Sequence, residues 1–206
     1  MSASRRIVLP TNAVTAVPIA GKAVTGSETS EVRSPFDDSV LGHVPLLGAA
    51  EVERAVAAAK NALHDQPLPV WKRAEILDRA SVLLRERQEE FAQLIAHEAA
   101  KPIKTARVEA DRAAGTFAFA AVEARKLAGE VIPIDAAPGA DGKIAYTMRV
   151  PIGVIGAISP FNFPLNLVAH KLAPAIAAGA PTVLKPAGQT PFSAIALAWL
   201  LVEECG

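Results

Sequence analysis

The segment that begins at residue 153 constrains the fold most, because a strand-like run, a proline-rich loop and a helix-like pattern follow one another in it. Residues 154–158 (Val-Ile-Gly-Ala-Ile) form a continuous apolar run, which is typical of a strand buried on both faces of a sheet. Two prolines in residues 159–164 cannot continue this strand, so a loop must follow. Residues 165–178 have helical periodicity, and residues 182–185 predict a second strand. This order of elements implies that the two strands are parallel.

The same segment predicts where a ligand would bind. Residues 191–202 add a helix after the second strand, which gives half of a doubly wound parallel sheet. Ligands bind such sheets beyond the carboxyl ends of the strands. The loop after the first strand contains Asn162, and the loop after the second begins at Lys185. We therefore expect Asn162 and Lys185 to lie at one candidate binding edge.

The two side chains suit different contacts. Asn162 lies in a loop stiffened by two prolines, so its side-chain amide can donate a hydrogen bond to a developing oxyanion. The alternative is a hydrogen bond from this amide to the local backbone. The three donors of the Lys185 ammonium suit sugar hydroxyls or phosphate, and extension into solvent is the alternative. The glycines form no G-x-G-x-x-G or Walker pattern, and the four histidines lack metal-ligand spacing. We therefore expect no metal site.

The preceding part of the chain predicts short strands followed by helices. Residues 1–47 are rich in β-branched residues and broken by glycines and prolines, which indicates strands joined by turns. Helical periodicity dominates residues 48–128. We expect Gly129 to end the last of these helices in the left-handed conformation and the charged residues 85–90 to be a solvated helix face. The last helix is expected to turn six side chains inward: Val108, Ala114, Phe117, Ala118, Ala121 and Val122.

Residues 130–150 predict a β-hairpin around a turn rich in glycine and proline. Its second arm alternates and places four apolar side chains on one face: Ile144, Tyr146, Met148 and Val150. A strand with one apolar face often pairs with another chain, so the hairpin is the candidate self-association element.

Composition and charge exclude several classes of protein. The chain has 21 basic and 21 acidic residues, so neither nucleic acid nor an anionic membrane is expected as a partner. No apolar stretch is long enough to span a bilayer. In residues 5–12, Pro10 stops a short apolar run before it reaches the length of a signal-peptide core. The single cysteine, Cys205, excludes an internal disulfide and fits a cytoplasmic protein.

These motifs resemble the NAD(P)-dependent aldehyde dehydrogenase superfamily. The resemblance rests on GVIGAISPFNFPL at 153–165, HKLAPAIAAG at 170–179, VLKPA at 183–187 and Thr190-Pro191, with earlier matches at 34–38, 54–60 and 127–130. It implies an α/β fold in which residues 1–129 are the N-terminal part of the cofactor-binding domain, made of short strands and then helices. Residues 130–150 would be the oligomerisation hairpin, and residues 151–206 the first βαβα half of a Rossmann-like sheet.

The resemblance also implies roles for individual residues. Asn162 would supply an oxyanion donor to the thiohemiacetal, and Lys171 would belong to a proton path from the general base. Lys185 would bond the adenosine ribose of NAD or NADP. The other cofactor-binding residues would be Ile158, Ser159, Pro160, Phe161 and Gly188. Phe161 stands where tryptophan is commoner in the family, which is a conservative departure.

Gly188 is a departure that bears on cofactor choice. Members that use NAD strictly often carry a glutamate at this position, which repels a 2′-phosphate. Because glycine carries no charge, we expect the site to tolerate NADP as well as NAD.

The resemblance covers only part of the family's length, since members are more than twice as long. The cysteine nucleophile and glutamate base would therefore lie in a catalytic domain absent from these 206 residues, and the chain alone is expected to be inactive. Cys205 does not match the nucleophile, and two neighbouring carboxylates should raise its pKa.

Two alternatives stay open beside an enzyme that oxidises a small aldehyde to a carboxylic acid. One is a truncated module that pairs with a full-length subunit through the hairpin, and the other is a relative that uses phosphate or CoA.

Overall fold

The structure is a computed structural model of the 206-residue chain, and it describes residues 14–65 and 67–206. The start of the N-terminal segment, with the arginines and apolar run in residues 5–12, lies outside the described residues. No helix of the described part is long and apolar enough to cross a membrane.

Two antiparallel strand pairs lie near the start of the described residues, which confirms the predicted strands and turns there. The first pair is β1 (Val17–Ile19) and β2 (Lys22–Val24), and the second is β3 (Glu28–Arg33) and β4 (Val40–Leu46). Ala20 and Gly21 turn the first pair with positive φ angles of 50° and 74°. The Trp199 indole N–H donates to the Ala16 carbonyl at 2.8 Å, which ties this region to the last helix.

Four helices follow, as the periodicity predicts. They are α1 (Ala49–Asp65), α2 (Val70–Glu86), α3 (Gln88–Ala99) and α4 (Ile103–Lys126). The charged run at 85–90 is not one continuous helix face. Helix α2 ends inside it, and the half-buried Arg87 forms an ion pair with Glu204 of the last helix.

The inward face of α4 differs in part from its prediction. Ala114, Phe117 and Ala121 are fully buried, but Val108 and Val122 are 56% and 46% exposed. The face that packs on α2, α3 and the next helix is made of six alanines, one phenylalanine and one carboxylate: Ala106, Glu109, Ala110, Ala113, Ala114, Phe117, Ala121 and Ala124. The contact is therefore mostly alanine, and Val108 and Val122 lie outside it.

The hairpin is present, with a shorter ladder than the pattern suggests. Strand β5 (Val131–Ile132) pairs antiparallel with β6 (Ala145–Tyr146), and a single 3₁₀ turn, Ile134–Ala136, follows β5. The prediction that Gly129 caps α4 in the left-handed conformation is wrong, because α4 ends at Lys126 and the φ of Gly129 is not positive. A Cβ at Gly129 would lie 1.6 Å from the Thr147 carbonyl oxygen, so glycine is needed for close approach to the hairpin.

The last four elements form the predicted βαβα unit. They are β7 (Ile155–Ile158), α5 (Asn166–Ala178), β8 (Thr182–Lys185) and α6 (Phe192–Glu204), and β7 pairs parallel with β8. Gly179 ends α5 with a φ of 76°, as expected. The expectation that the first strand is buried on both faces is wrong for this chain: Ile158 is 70% exposed, since within the described residues β8 is the only strand that pairs with β7.

One large core joins the helical region to the βαβα unit. Its fully buried side chains come from α2, α3, α4, the start of α5, and α6, and include Leu77, Leu84, Phe91, Ile95, Phe117, Leu165, Val168 and Leu197. The helices therefore pack directly on the two elements that follow the candidate loops, which ties the geometry of those loops to the helical layer.

Candidate functional site

The two candidate loops emerge side by side at one edge of the parallel pair. Ile158 and Lys185 are paired residues at the ends of β7 and β8. The backbone N–H of Ser159 donates to the Lys185 carbonyl at 3.1 Å, which extends the pairing one residue into the first loop. The hydroxyl of Thr190 donates to the Phe161 carbonyl at 3.4 Å. These contacts hold the two loops together, as the sequence predicts for the carboxyl ends of parallel strands.

Asn162 lies at the exposed tip of the first loop. Its carboxamide has no hydrogen-bond partner in residues 14–65 and 67–206, so the alternative of local backbone bonding is not observed. Its neighbours differ in accessibility: Pro160 and Phe161 are exposed, whereas Ser159 is buried. The amide N–H groups of Asn162 are therefore available to a ligand oxygen.

Lys185 ends β8 with its side chain exposed. The ammonium donates to the carbonyl of the next residue, Pro186, at 3.1 Å, which leaves further N–H donors for a ligand. A Cβ built on Gly188 would meet nothing within 4 Å. The space at the Cβ position of Gly188 is therefore open.

Lys171 reaches the same strand from the helix. It lines a cavity of about 400 Å³ together with four residues of β7, namely Ile155, Gly156, Ala157 and Ile158. The structure thus brings Ile158 and Lys171 together at this cavity, and Asn162 is not among its lining residues. A second groove, of about 340 Å³, lies between α4 and α5 and is lined by residues that include Phe119 and His170.

Two buried carboxylates lie behind the loops, and the sequence did not predict them as part of the site. Glu109 of α4 accepts hydrogen bonds from the backbone N–H groups of Leu165 and Asn166, at 3.0 and 3.2 Å, at the start of α5. Glu98 of α3 accepts from the backbone N–H groups of Phe192 and Ser193, at 2.7 and 3.0 Å, at the start of α6. Each carboxylate thus caps the first turn of the helix that follows one candidate loop.

The sequence does contain a signal for these two carboxylates. Glu98 continues the inward face of Phe91, Leu94 and Ile95, and a charged residue on such a face is almost never buried without a partner. Burial raises the pKa of Glu98 to about 7, against the opposing effect of the donors from Ser193 and Phe192. The partners are backbone groups distant along the chain, which periodicity cannot identify.

Cys205 has none of the features of a nucleophile. It is buried at the end of α6, and burial raises the pKa of its thiol to about 11. The direction agrees with the sequence prediction, but its main cause is burial, to which the charge of Glu204 adds. No group of three or more metal-ligating side chains in the described part of the chain could hold a metal ion.

The chain was compared with known proteins. The family model described as the aldehyde dehydrogenase family matches residues 23–206. The chain is 44% identical over 186 residues to a 3-sulfolactaldehyde dehydrogenase of Priestia megaterium, which covers 90% of the chain and 39% of that protein. It is 40% identical over 175 residues to a lactaldehyde dehydrogenase of Methanocaldococcus jannaschii, covering 84% of the chain and 36% of that protein. The chain thus spans about two fifths of the length of the relatives it matches.

Solved structures agree with this comparison. The structure of aldehyde dehydrogenase 21 from Physcomitrella patens, in complex with the reaction product succinate, matches with a TM-score of 0.89 and 38% identity, over 94% of this chain and 41% of that one. An NADP-dependent glyceraldehyde-3-phosphate dehydrogenase from Bacillus halodurans, complexed with NADP, matches with a TM-score of 0.89 and 37% identity, over 96% of this chain and 42% of that one. Sequence and architecture lead to the same conclusion: the chain belongs to the aldehyde dehydrogenase family.

Proposed function

We propose that the chain forms the first part of the cofactor-binding domain of an NAD(P)-dependent aldehyde dehydrogenase, which oxidises a small aldehyde to a carboxylic acid. One observation carries this proposal: the loop with Asn162 and the loop that begins at Lys185 leave the same edge of the β7 and β8 pair, joined by the hydrogen bond from Ser159 to Lys185. Hydride transfer from aldehydes needs a cofactor cleft beside an oxyanion donor, and we propose that this edge would supply both.

The residues at this edge fit a dinucleotide. The exposed ammonium of Lys185 would donate to the adenosine ribose, next to the open space at Gly188. Ile158, Ser159, Pro160 and Phe161 would form the wall of the cleft, with apolar surface at Ile158 and Phe161 to cover the rings. When bound, NAD(P) supplies the hydride acceptor of the reaction.

Asn162 and Lys171 would act on the substrate side. The Asn162 amide, free of protein partners, would donate to the oxygen that gains negative charge when the aldehyde is attacked. Lys171, which lines the cavity beside β7, would hold a proton path between that cavity and the general base. The nucleophile and the base would be supplied by residues outside this sequence, since Cys205 is buried with a raised pKa.

Gly188 supports use of both cofactors. The open space at its Cβ position holds no carboxylate that would repel the 2′-phosphate of NADP. We propose that the site accepts NADP and NAD.

The substrate class follows from the relatives. The lactaldehyde and 3-sulfolactaldehyde dehydrogenases that the chain matches act on short 2-hydroxyaldehydes by their names. We propose a short 2-hydroxyaldehyde as substrate of the complete enzyme that contains this chain. The check compares the specificity constants of that enzyme for lactaldehyde and for propanal, which lacks the hydroxyl. Equal constants would count against this class.

The hairpin supports self-association. Four side chains of its second arm are exposed by 67 to 85%, namely Ile144, Tyr146, Met148 and Val150. We propose a homo-oligomer formed through residues 130–150, in the cytoplasm.

The same exposed face supports a second candidate function, a non-catalytic module that pairs with a full-length subunit. Co-purification of a longer subunit with this chain would favour the module.

The cofactor proposal is tested by titrating the ¹⁵N-labelled chain with NADP and with NAD. Chemical shifts should change at residues 158–162 and 185–188, and Lys185→Ala should abolish the changes. Lys104→Ala, which removes an exposed lysine of α4, is the matched control and should leave them intact. The proposal fails if neither cofactor shifts these resonances, or if both lysine variants behave alike.

A further inference from the structure

The loop that carries Asn162 is held on both sides of that residue, while the Asn162 carboxamide has no hydrogen-bond partner among the residues that the structure describes. Before it, the Phe161 carbonyl accepts from the Thr190 hydroxyl. After it, the Phe163 ring and the backbone of Leu165 are held by two residues of the helical layer. The direction in which the amide points therefore depends on these neighbours.

Glu109 provides the strongest of these contacts. Its side chain is 1% exposed, and one carboxylate oxygen accepts from two successive backbone N–H groups, those of Leu165 and Asn166. Hydrogen bonds to an ionised acceptor are roughly twice as strong as neutral ones, and burial limits competition from water. The start of α5, four residues after Asn162, is thus fixed to α4.

Lys101 completes the arrangement from the segment before α4. Its ammonium donates to the second oxygen of Glu109 at 2.5 Å and lies 3.8 Å from the centroid of the Phe163 ring. The first contact neutralises the buried carboxylate, and the second is a cation–π contact to the residue next to Asn162. One ion pair therefore contacts the loop at Phe163 and at the first turn of α5.

We propose that Lys101 and Glu109 are a positioning pair, which fixes the loop around Asn162 so that its amide is held ready for the oxyanion. The proposal rests on the proposed function for the role of Asn162. The pair would act through its contacts with Phe163, Leu165 and Asn166.

The test measures backbone order at Asn162 by ¹⁵N relaxation of the full 206-residue chain. The double variant Lys101→Met/Glu109→Met removes the contacts and leaves no buried unpaired charge. The order parameter of Asn162 should fall from about 0.85, typical of rigid backbone, to below about 0.6. Lys101→Met/Glu109→Gln keeps an acceptor for the N–H groups of α5 and should recover an intermediate value.

Two controls separate positioning from general stability. Lys104→Met changes an exposed lysine of α4, the helix that carries Glu109, and should leave the order parameter of Asn162 unchanged. Val32→Ala opens the separate core of β3 and lowers the melting temperature, but it should also leave Asn162 rigid, because Val32 is in a different hydrophobic cluster from α5. If Lys101→Met/Glu109→Met does not fold, the order parameter of Asn162 in Lys101→Met/Glu109→Gln is the test on its own.

The proposal is overturned if Asn162 stays rigid in the folded double variant, or if Val32→Ala loosens the loop equally. The proposed function has a separate test in the complete enzyme that contains this chain. Aldehyde oxidation by that enzyme that is unchanged by Asn162→Ala would refute the oxyanion role and leave the loop order measured in the 206-residue chain unaffected.

Discussion

Glu98 places a carboxylate in the core, and this has a consequence for the pH dependence of folding. Its pKa in the folded chain is about 7, above its ordinary value of 4.5, because burial disfavours the charged form. Glu109 adds like-charge repulsion, whereas the N–H groups of Phe192 and Ser193 favour the charged form. The stabilising contribution of protonated Glu98 is complete below pH 4.5 and is lost as the pH rises through 7.

We therefore predict that Glu98→Gln flattens the dependence of the unfolding free energy on pH. Glutamine keeps an acceptor for the start of α6 without the charge. Between pH 4.5 and 7 the variant should gain up to about 3 kcal/mol relative to the original chain. Urea unfolding at a series of pH values measures this gain. Glu75→Gln, on the exposed face of α2, is the control; an equal gain in the control would contradict the assignment to Glu98.

Gly188 gives a second prediction at the scale of one residue, on cofactor choice. Its backbone is not in the left-handed region and a Cβ meets nothing, so Gly188→Glu should be accommodated. A carboxylate there would repel the 2′-phosphate, and the Kd for NADP should rise by about tenfold or more relative to Gly188→Gln, with little change for NAD. Calorimetric titration of both variants measures the ratio. If the Kd values for NADP and NAD rise equally, the size of the side chain and not its charge determines cofactor binding.

Single residues also show which parts of the candidate site could be predicted from the sequence. The positions of Asn162 and Lys185 followed from strand ends, because parallel register places both loops at one edge. Glu109 could be recognised only as a carboxylate on an alanine-rich helix face. Its partners, Leu165 and Asn166, lie 56 and 57 residues away, and such tertiary pairing leaves no local pattern in the sequence.

At the scale of elements, Gly129 connects α4 to the hairpin. The Glu130 N–H donates to the Thr147 hydroxyl and the Thr147 N–H donates to the Glu130 carbonyl, both at 2.9 Å. A Cβ at Gly129 would overlap the Thr147 carbonyl. Helix-capping logic predicted a left-handed glycine here. The contact that requires glycine is made by Thr147, which follows β6 and lies 18 residues later in the chain, so only the fold could reveal it.

We predict that Gly129→Ala detaches the hairpin from the end of α4. Overpacking of this kind costs about 1 to 3 kcal/mol, and the Thr147 amide should exchange with solvent at least about tenfold faster. Hydrogen exchange followed by NMR measures the rate. Gly115→Ala is the matched control, since a Cβ inside α4 meets nothing there and should stabilise the helix instead. Unchanged exchange at Thr147 in Gly129→Ala would contradict the contact.

The exposure of β7 shows a different limit at the same scale. Its apolar composition indicates a central strand, yet β8 is its only partner among the described residues and Ile158 is largely exposed. An apolar composition indicates that a strand is stable when both of its faces are buried. A sheet of two strands cannot bury both faces of β7.

At the scale of the whole molecule, the exposed apolar surface of the hairpin is not used by the chain's own core. The core joins α2 to α6, whereas the outer face of the second hairpin arm is left in water. Burying such a face contributes roughly 25 cal/mol per Å² of apolar area, so contact with a second copy is favoured. The opposite face carries Thr147, which joins the two arms of the hairpin through its hydrogen bonds with Glu130. One face thus holds the arms together, and the other is exposed and available for association.

We predict that Tyr146→Lys converts the chain to a monomer. Light scattering during size-exclusion chromatography should give a multiple of 21.5 kDa for the original chain and 21.5 kDa for the variant. A charge at this position would be buried without a partner in the assembly, while the folded monomer leaves it in water, because Tyr146 is 67% exposed. Arg149→Ser, on the other face of the same arm, should keep the larger mass. Dissociation by Arg149→Ser alone, or a monomeric original chain, would rule out this face as the interface.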